Sequence, residues 1–377
     1  MTGEDARRYH ERTKHTPASV RAGARMLDWA NRPHPFKEYE GLEAEPLDVG
    51  SGLGRLLRWG AGVVRSRTYG GVDTYHFRTY SSAGALYPVE VYVAKEDGLF
   101  HFHPRELVLR RLREGSFETS LILTGILRRT AWKYDARGYR HLWWDAGTML
   151  ANFLALAEAN GVEARVQVGF DDAAVNELLG VDGEEERALA QLALKGVDRV
   201  SEAAEELERV LRRRGSGREF ALEPIPRFDL ASILAEALAP ILADMPPYAE
   251  AYLVVNAVEG LEPGAHRFEA PDSFELLRAG SFRREAGFLV LEQELGARAA
   301  ATIFFLTDLD RLFAEHGERG YRWAQLEAGI RTGRVYIGAF ARGLAATAST
   351  FYDDEVTRFF GLEPALQPML SVAVGRS

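Results

Sequence analysis

Four groups of residues in this 377-residue chain could do chemistry. The first is Arg78-Thr79-Tyr80-Ser81-Ser82-Ala83-Gly84-Ala85-Leu86-Tyr87-Pro88. Its serines, alanines and glycine offer hydroxyls and bare backbone amides with almost no bulk, so a flat ligand could lie directly on it. A tight loop ahead of a buried strand has the same composition. The second is Lys133-Tyr134. Both side chains ionise near pH ~10 in water, so each is a better proton donor than acceptor at neutrality unless its surroundings intervene. Arginine outnumbers lysine 41 to 5, which makes this lysine conspicuous. A lysine and an aromatic in a surface connection is the plainer reading. The third is Arg213-Arg214-Gly215-Ser216-Gly217-Arg218-Glu219-Phe220. Guanidinium groups make charge-assisted, bidentate bonds, and a hydroxyl and glycine amides add donors, so the run suits a phosphate. A solvated basic linker would read the same way. The fourth pair, His101 and His103, shares one face of an alternating stretch. With no third ligand nearby in sequence, a wet strand face is expected there and no metal.

These groups need elements to hold them. Val89-Glu90-Val91-Tyr92-Val93 alternates and is rich in β-branched residues, which predicts a strand directly after the serine loop. Phe100-His101-Phe102-His103 alternates again and reads as its hairpin partner. Leu53 to Val64 carries apolar residues at helical spacing. Ser116 to Thr130 reads as strand then helix, and the polar-aromatic run Ala131 to Arg140 leads into a long helix from about Tyr139 to Asn160. Trp143 to Leu156 is apolar almost all round, which suits a helix buried on several sides. Gly161 stands where a helix ends in a left-handed glycine. Asp171-Asp172 follows the predicted strand Val166–Val168 and is expected to cap the next helix. Glu202 to Arg214 predicts a polar helix, broken by Gly215-Ser216-Gly217.

Composition narrows the function classes. Hydrophobic residues make up 46% of the chain, enough for a sizeable core, and the net charge of −9 argues against nucleic acid as the main partner. No apolar run long enough to span a bilayer and no signal-peptide pattern stand out, so no membrane partner and a cytoplasmic location are expected. Cysteine is absent, which excludes disulfides, thiolate metal sites and cysteine nucleophiles.

The chain also repeats itself. Arg137-Gly138-Tyr139-Arg140 recurs as Arg319-Gly320-Tyr321-Arg322, an offset of 319 − 137 = 182. At that offset Asp145-Ala146-Gly147 meets Glu327-Ala328-Gly329, and Phe170-Asp171-Asp172 meets Tyr352-Asp353-Asp354. Val89–Val93 resembles Ala249–Leu253, and Arg113–Phe117 resembles Arg278–Phe282. The period is a whole domain, which means duplication and fusion. We expect an amino-terminal arm over residues 1–50, a first half over 51–200 and a second over 201–377. Two such halves in one chain can make the twofold arrangement that a homodimer makes between chains. The expected fold class is α+β, each half a mainly antiparallel sheet flanked by helices. Monomer and further homodimer are both compatible with it.

The wording of the serine loop and its strand resembles the flavin loop of the nitroreductase-like superfamily, closest to its azoline dehydrogenase branch (SagB/ThcOx type). That resemblance implies FMN, two fused nitroreductase-like domains and an intrachain pseudo-dimer. It implies that Arg78, Ser81, Ser82, Ala83 and Gly84 face the flavin ring. It implies that Arg213, Arg214, Ser216 and Arg218, with Arg376 near the end, hold the phosphate. Lys133 and Tyr134 match a pair implicated in catalysis. Thr350-Phe351 and Val168-Gly169 align with the segment that passes a backbone amide near flavin N5; Phe351 departs from the family's glycine. The first half keeps only Lys37 where the arginines should be. The second half has Asp244-Met245-Pro246-Pro247-Tyr248 in place of the serine loop, and Glu315-His316 in place of Lys133-Tyr134. One FMN per chain and one dead site are therefore expected. The implied activity is hydride transfer between flavin N5 and a small-molecule or peptide-derived, azoline-like substrate. The alternatives are an NAD(P)H-dependent nitro or quinone reductase and a flavin-free binding protein on the same scaffold.

Overall fold

Alternating segments become two antiparallel sheets in the computed structural model, which describes residues 3–23, 26–69 and 73–377. The chain divides into two units. One comprises Leu27–Arg213 and Ile241–Pro246 and is called the first-half unit below. The other comprises Met1–Met26, Arg214–Pro240 and Pro247–Ser377 and is called the second-half unit. The amino-terminal fifty residues are thus not one arm. Residues 3–12 form a helix of the second-half unit, whereas Ala44–Pro46 is an edge strand of the first-half sheet.

In the first-half unit the strands are β1 (Ala44–Pro46), β2 (Val63–Tyr69), β3 (Asp73–Arg78), β4 (Val89–Lys95), β5 (Gly98–His103), β6 (Val108–Arg113), β7 (Ser120–Ile126), β8 (Glu163–Gln167) and β9 (Glu186–Lys195). Seven of them form one sheet in the order β1-β6-β5-β4-β7-β9-β8, and β2 pairs with β3 as a separate hairpin. The helices are α1 (Gly52–Ala61), α2 (Leu127–Tyr134), α3 (Gly138–Ala159), α4 (Asp172–Leu179) and α5 (Glu202–Arg213). Helix α3 is buried on nearly every side, as its apolar middle requires. It packs closely on α1: a Cβ added at Gly60 would lie 2.1 Å from Phe153 Cε1. Gly161, at φ +65°, ends α3 in the left-handed region. The Asp171 carboxylate caps α4 by accepting from the amides of Ala173 and Ala174.

The second-half unit repeats this plan. Its strands β10 (Glu250–Val255), β11 (Gly264–Glu269), β12 (Ser273–Ala279), β13 (Ala301–Asp308), β14 (Ala345–Ser349) and β15 (Leu366–Gly375) run in the order β12-β11-β10-β13-β15-β14. That order matches β6-β5-β4-β7-β9-β8 position by position. Its helices include α6 (Arg227–Leu238), α7 (Leu309–Ala341) and α8 (Asp353–Phe360). The offset seen in sequence holds for whole elements: α7 starts at 309 and α2 at 127, a difference of 182, and β14 starts at 345 and β8 at 163, again 182. Gly317, with φ +55°, breaks α7 where α2 gives way to α3 in the first half. All sheet pairings are antiparallel. No helix among the described residues is long and apolar enough to cross a membrane.

Candidate active site

The serine loop is built into the first-half unit from several directions. The Arg78 amide donates to Tyr87 Oη at 3.1 Å, and the Arg78 guanidinium donates to the carbonyls of Pro35 at 2.7 Å and Val89 at 3.1 Å. Arg129 donates to the Tyr87 carbonyl at 2.9 Å. Thr148 Oγ1, on α3, donates to the Ser81 carbonyl at 2.6 Å. Asp145, one turn earlier on the same helix, accepts from the Ser82 hydroxyl and from the Ala83 amide. Ser82 Oγ in turn accepts from the Tyr87 amide at 2.9 Å. These ties hold the backbone in an unusual path. Gly84 has φ +63°, and Ala85 and Tyr87, which carry side chains, have φ of +52° and +46°. Strain of this kind persists only where the surroundings over-determine it, and it concentrates at functional sites.

Gly84 is exposed, and Lys133 and Tyr134 are its neighbours. A Cβ at Gly84 would lie 3.1 Å from Tyr134 Oη and 3.2 Å from Lys133 Nζ. The structure therefore brings together the loop glycine and the Lys-Tyr pair. Protein on the inner side of Lys133 depresses its pKa, although its outer side meets solvent. Burial, and then the charge of Asp145, push the Tyr134 hydroxyl well above its ordinary value, so it stays protonated. Tyr134 stacks on His141 with ring centroids 3.9 Å apart. The arrangement gives two proton-bearing side chains beside a bare, exposed backbone.

Other expected ring-side residues have their groups engaged elsewhere. Arg78 is buried, and its guanidinium braces the loop from behind instead of facing outward. The Ser82 hydroxyl is fully used inside the loop. Ser81, Ala83 and Gly84 remain at the surface or half-buried.

The basic run belongs mostly to the second-half unit. Gly217 donates its amide to the Ala346 carbonyl at 3.1 Å, and Thr347 Oγ1 donates to the Gly217 carbonyl, so residues 215–217 lie along β14. Ser216 Oγ sits 3.2 Å from Tyr336 Oη. Arg213, Ser216 and Arg218 are exposed; Arg214 is buried, with its guanidinium 5.4 Å from the Tyr336 ring centre. Arg376 is exposed and donates to the Pro224 carbonyl at 3.1 Å. Phe351 has its side chain fully buried in an apolar cluster with Tyr252, Val254 and Phe304, so only its backbone could meet a ligand. Thr350 Oγ1, beside it, is buried and has no partner among the described residues.

Two expectations are corrected. His101 and His103 are buried, not on a wet face. Segment 36–39 covers them: Tyr39 lies 5.0 Å from the His101 ring and Phe36 5.4 Å from that of His103. A third potential metal ligand also exists, since Glu38, His103 and Glu106 come close. His103 Nδ1 accepts from the Glu106 amide at 3.1 Å, so the neutral ring carries its proton on Nε2, facing Glu38 at 3.2 Å. That tautomer suits a hydrogen bond to Glu38 and presents no lone pair to a metal. Lys37 donates to Glu186 at 2.6 Å and to Tyr92 Oη at 2.9 Å, inside the unit.

Sequence reasoning gave no role to two groups. Glu90, fully buried on β4, pairs with Arg129 and hydrogen-bonds His101 at 3.0 Å. Opposed by burial, the Arg129 and His101 charges still hold its carboxyl far below the ordinary range. Among the described residues no cation pairs with Asp145, and burial pushes its carboxyl up to about 7 against the pull of Ser82 and Ala83. An acid inside an apolar helix, matched by Glu327 in the repeat, was the available signal.

Each half-set fits part of a flavin nucleotide. The exposed small-residue loop offers backbone with little side-chain bulk, and a Cβ at Gly84 would press on Tyr134 Oη and Lys133 Nζ. The exposed Ser216 and Arg218 beside glycines suit a phosphate. The description of the Nitroreductase family matches residues 115–196 and 211–376, one segment in each half. The chain is 27% identical over 183 residues to MJ1384 of Methanocaldococcus jannaschii, described as a nitroreductase; the match spans 45% of this chain and 90% of that protein. It is 27% identical over 146 residues to McbC, a microcin B17-processing protein of Escherichia coli, across 31% of this chain and 53% of McbC. A crystal structure from Anabaena variabilis, also described as a nitroreductase, matches with a TM-score of 0.91 at 27% identity, covering 98% of this chain and 99% of that one.

Proposed function

The chain belongs to the nitroreductase family, and we propose that it is an FMN-dependent oxidoreductase that transfers a hydride between flavin N5 and a small-molecule or azoline-like, peptide-derived substrate. The observation that carries this reading is the strained, exposed loop at Gly84 with Lys133 and Tyr134 against it. FMN, when bound, supplies the two-electron chemistry. The chain's own residues bind, orient and handle the proton. Gly84 and its small neighbours leave the backbone bare for the ring. Ser216, Arg218 and Arg213 are proposed to hold the phosphate, with Arg376 as an outer contact. Thr350 and the Phe351 amide are proposed acceptor-facing donors.

Lys133 and Tyr134 both carry protons at neutral pH, which suits them to donate a proton to a substrate heteroatom. The lowered pKa of Lys133 makes it the readier donor of the two. Similarity to McbC and the Lys-Tyr pair favour the azoline-type substrate; similarity to MJ1384 favours reduction of nitro compounds or quinones with NAD(P)H. The test is the flavin-to-chain ratio after saturation with FMN, read from absorbance on denaturation. A ratio of one supports the reading, with one active copy of the site. A ratio of two would show that both copies bind. No binding would favour the flavin-free alternative.

A further inference from the structure

The two units solve one local problem with different side chains. In each, an acid on the long buried helix captures the backbone that enters the central strand. In the second-half unit the acid is Glu327, which accepts from the amides of Tyr248 at 2.9 Å and Ala249 at 3.2 Å. In the first-half unit it is Asp145, which accepts from Ser82 and Ala83. The positions correspond, 327 − 145 = 182. Their charge environments do not. Glu327 is paired with Arg331 at 2.8 Å, one turn along α7. Arg331 also donates to the carbonyls of Ala237 and Ala239, so the pair is fully bonded. At the position of Arg331 the first half has Met149, fully buried. A charged carboxylate buried without a cation is costly, whereas a carboxylic acid can bridge the same two groups, one oxygen accepting from the Ala83 amide and the protonated one donating to Ser82 Oγ instead of accepting from it.

We propose that Asp145 is the positioning residue of the loop at Gly84 and that, lacking the arginine its repeat counterpart has, it holds that loop best as an uncharged carboxylic acid. Its consequence for FMN rests on the function proposed above; its effect on the loop does not. The groups that face Asp145 are few. Tyr80, from the loop's approach, and Tyr134, from α2, are both pushed upward by burial, to which a charged Asp145 would add, so they stay neutral. Behind Tyr80, Arg78 and Glu90 keep fixed charges, Glu90 through Arg129. His141 lies one turn earlier on α3 and Lys133 across from Gly84; both persist in any Asp145 variant.

The sign follows from linkage. Closing the loop buries Asp145 and raises its proton affinity, so raising the pH past neutrality opposes closure. Three chains separate the outcomes: wild type, Asp145→Asn and Asp145→Ala, each checked for folding by circular dichroism. FMN affinity is measured by titration between pH 7 and 8.5, where the FMN phosphate no longer changes charge. Wild-type affinity should fall over this range by up to about tenfold. Asp145→Asn, a neutral isostere, should bind as the wild type does at pH 7 and show no such fall. Asp145→Ala should bind about tenfold more weakly at every pH, as expected for the loss of two hydrogen bonds. Hydrogen exchange of residues 80–87 in the flavin-free chain is the second readout. The wild-type loop should open with pH relative to Asp145→Asn. Equal pH profiles for wild type and Asp145→Asn in that exchange would overturn the proposal, as would a protected loop in Asp145→Ala. Failure of the wild type to bind FMN would instead count against the flavin reading and leave the exchange result to decide on Asp145.

Discussion

Replacing Gly84 with alanine perturbs the one residue at which loop, lysine and tyrosine meet. Two terms set the size of the effect. Gly84 is in the left-handed region at φ +63°, and a side chain there costs about 1–2 kcal/mol. The new Cβ would lie 3.1 Å from Tyr134 Oη and 3.2 Å from Lys133 Cδ and Nζ. The ends of two side chains can shift by a few tenths of an ångström, so the contact adds little to stability but moves both polar tips. For a unit of this size a loss of about 1–2 kcal/mol lowers Tm by roughly 2–8 °C. Backbone strain alone would predict only that drop.

Gly180 supplies the control. It ends α4 at φ +70°, and a Cβ there would meet nothing within 4 Å. Gly180→Ala should therefore lower Tm by a similar amount and leave FMN binding unchanged. Gly84→Ala should do both: lower Tm and weaken FMN by about tenfold or more, since each ~1.4 kcal/mol of displaced contact is a factor of ten. Calorimetry and fluorescence titration of FMN against both variants make the comparison. If Gly84→Ala binds FMN within twofold of wild type while losing stability like Gly180→Ala, the loop does not face the flavin, and the reading of the site fails.

Three further outcomes follow from the same geometry. Lys133→Ala should bind FMN as wild type does but turn over about 100-fold more slowly or worse, the usual contribution of a positioned proton donor; stopped-flow turnover equal to wild type would remove its catalytic role. Arg218→Ala deletes an exposed guanidinium and should weaken FMN by about 10- to 100-fold while leaving riboflavin, which lacks the phosphate, untouched; an equal loss for both ligands would contradict a phosphate contact. Asp145 titrates near 7 when folded and near ~3.9 when unfolded, so its stability contribution is full below about pH 4 and lost as pH rises through about 7, by at most about 4 kcal/mol. Asp145→Asn should therefore gain stability relative to wild type between pH 5 and 8 in denaturant titrations, and a constant difference would refute the assignment.

Much of this was legible because it is local. The small-residue loop, the strand after it, the glycine that ends α3 and the aspartate that caps α4 are written in adjacent residues. The repeat was legible because a fixed offset survives even where side chains have changed. What escaped depends on segments far apart in the chain. Alternation put His101 and His103 on one face, but only the fold lays Phe36 and Tyr39 over that face. Arg78 was placed at the flavin ring only by the resemblance of its loop. In the fold the carbonyls of Pro35 and Val89 turn it inward. Phe351 stood out in sequence as a departure from the family's glycine, and the fold accounts for its ring as core. Asp145 was visible as a matched acid in the repeat, but the missing arginine follows from Met149, and neither residue carries that meaning alone.

The erosion of the second copy of the loop is better described as replacement than as decay. Sheet register fixes the correspondence: Glu90 pairs with Thr124 and Glu250 with Leu306, and 306 − 124 = 182, so Glu250 stands where Glu90 stands and Asp244 where Gly84 stands. A bare glycine in one copy is thus a carboxylate in the other. That carboxylate is used. Within the first-half unit Asp244 accepts from the Val168 amide at 3.0 Å and the Gly169 amide at 2.8 Å, while Val166 and Ala243 form a parallel bridge beside it. Two consecutive amides form an acceptor-binding concavity, and here the chain fills it with its own side chain. At the positions of Lys133 and Tyr134 the second half has Glu315 and His316, and Glu315 is spent on Tyr248 and Arg311. The counterpart of Lys133, Glu315, is thus already satisfied in the second copy. The second copy of the loop carries a structural role: its carboxylate holds the Val168 and Gly169 amides.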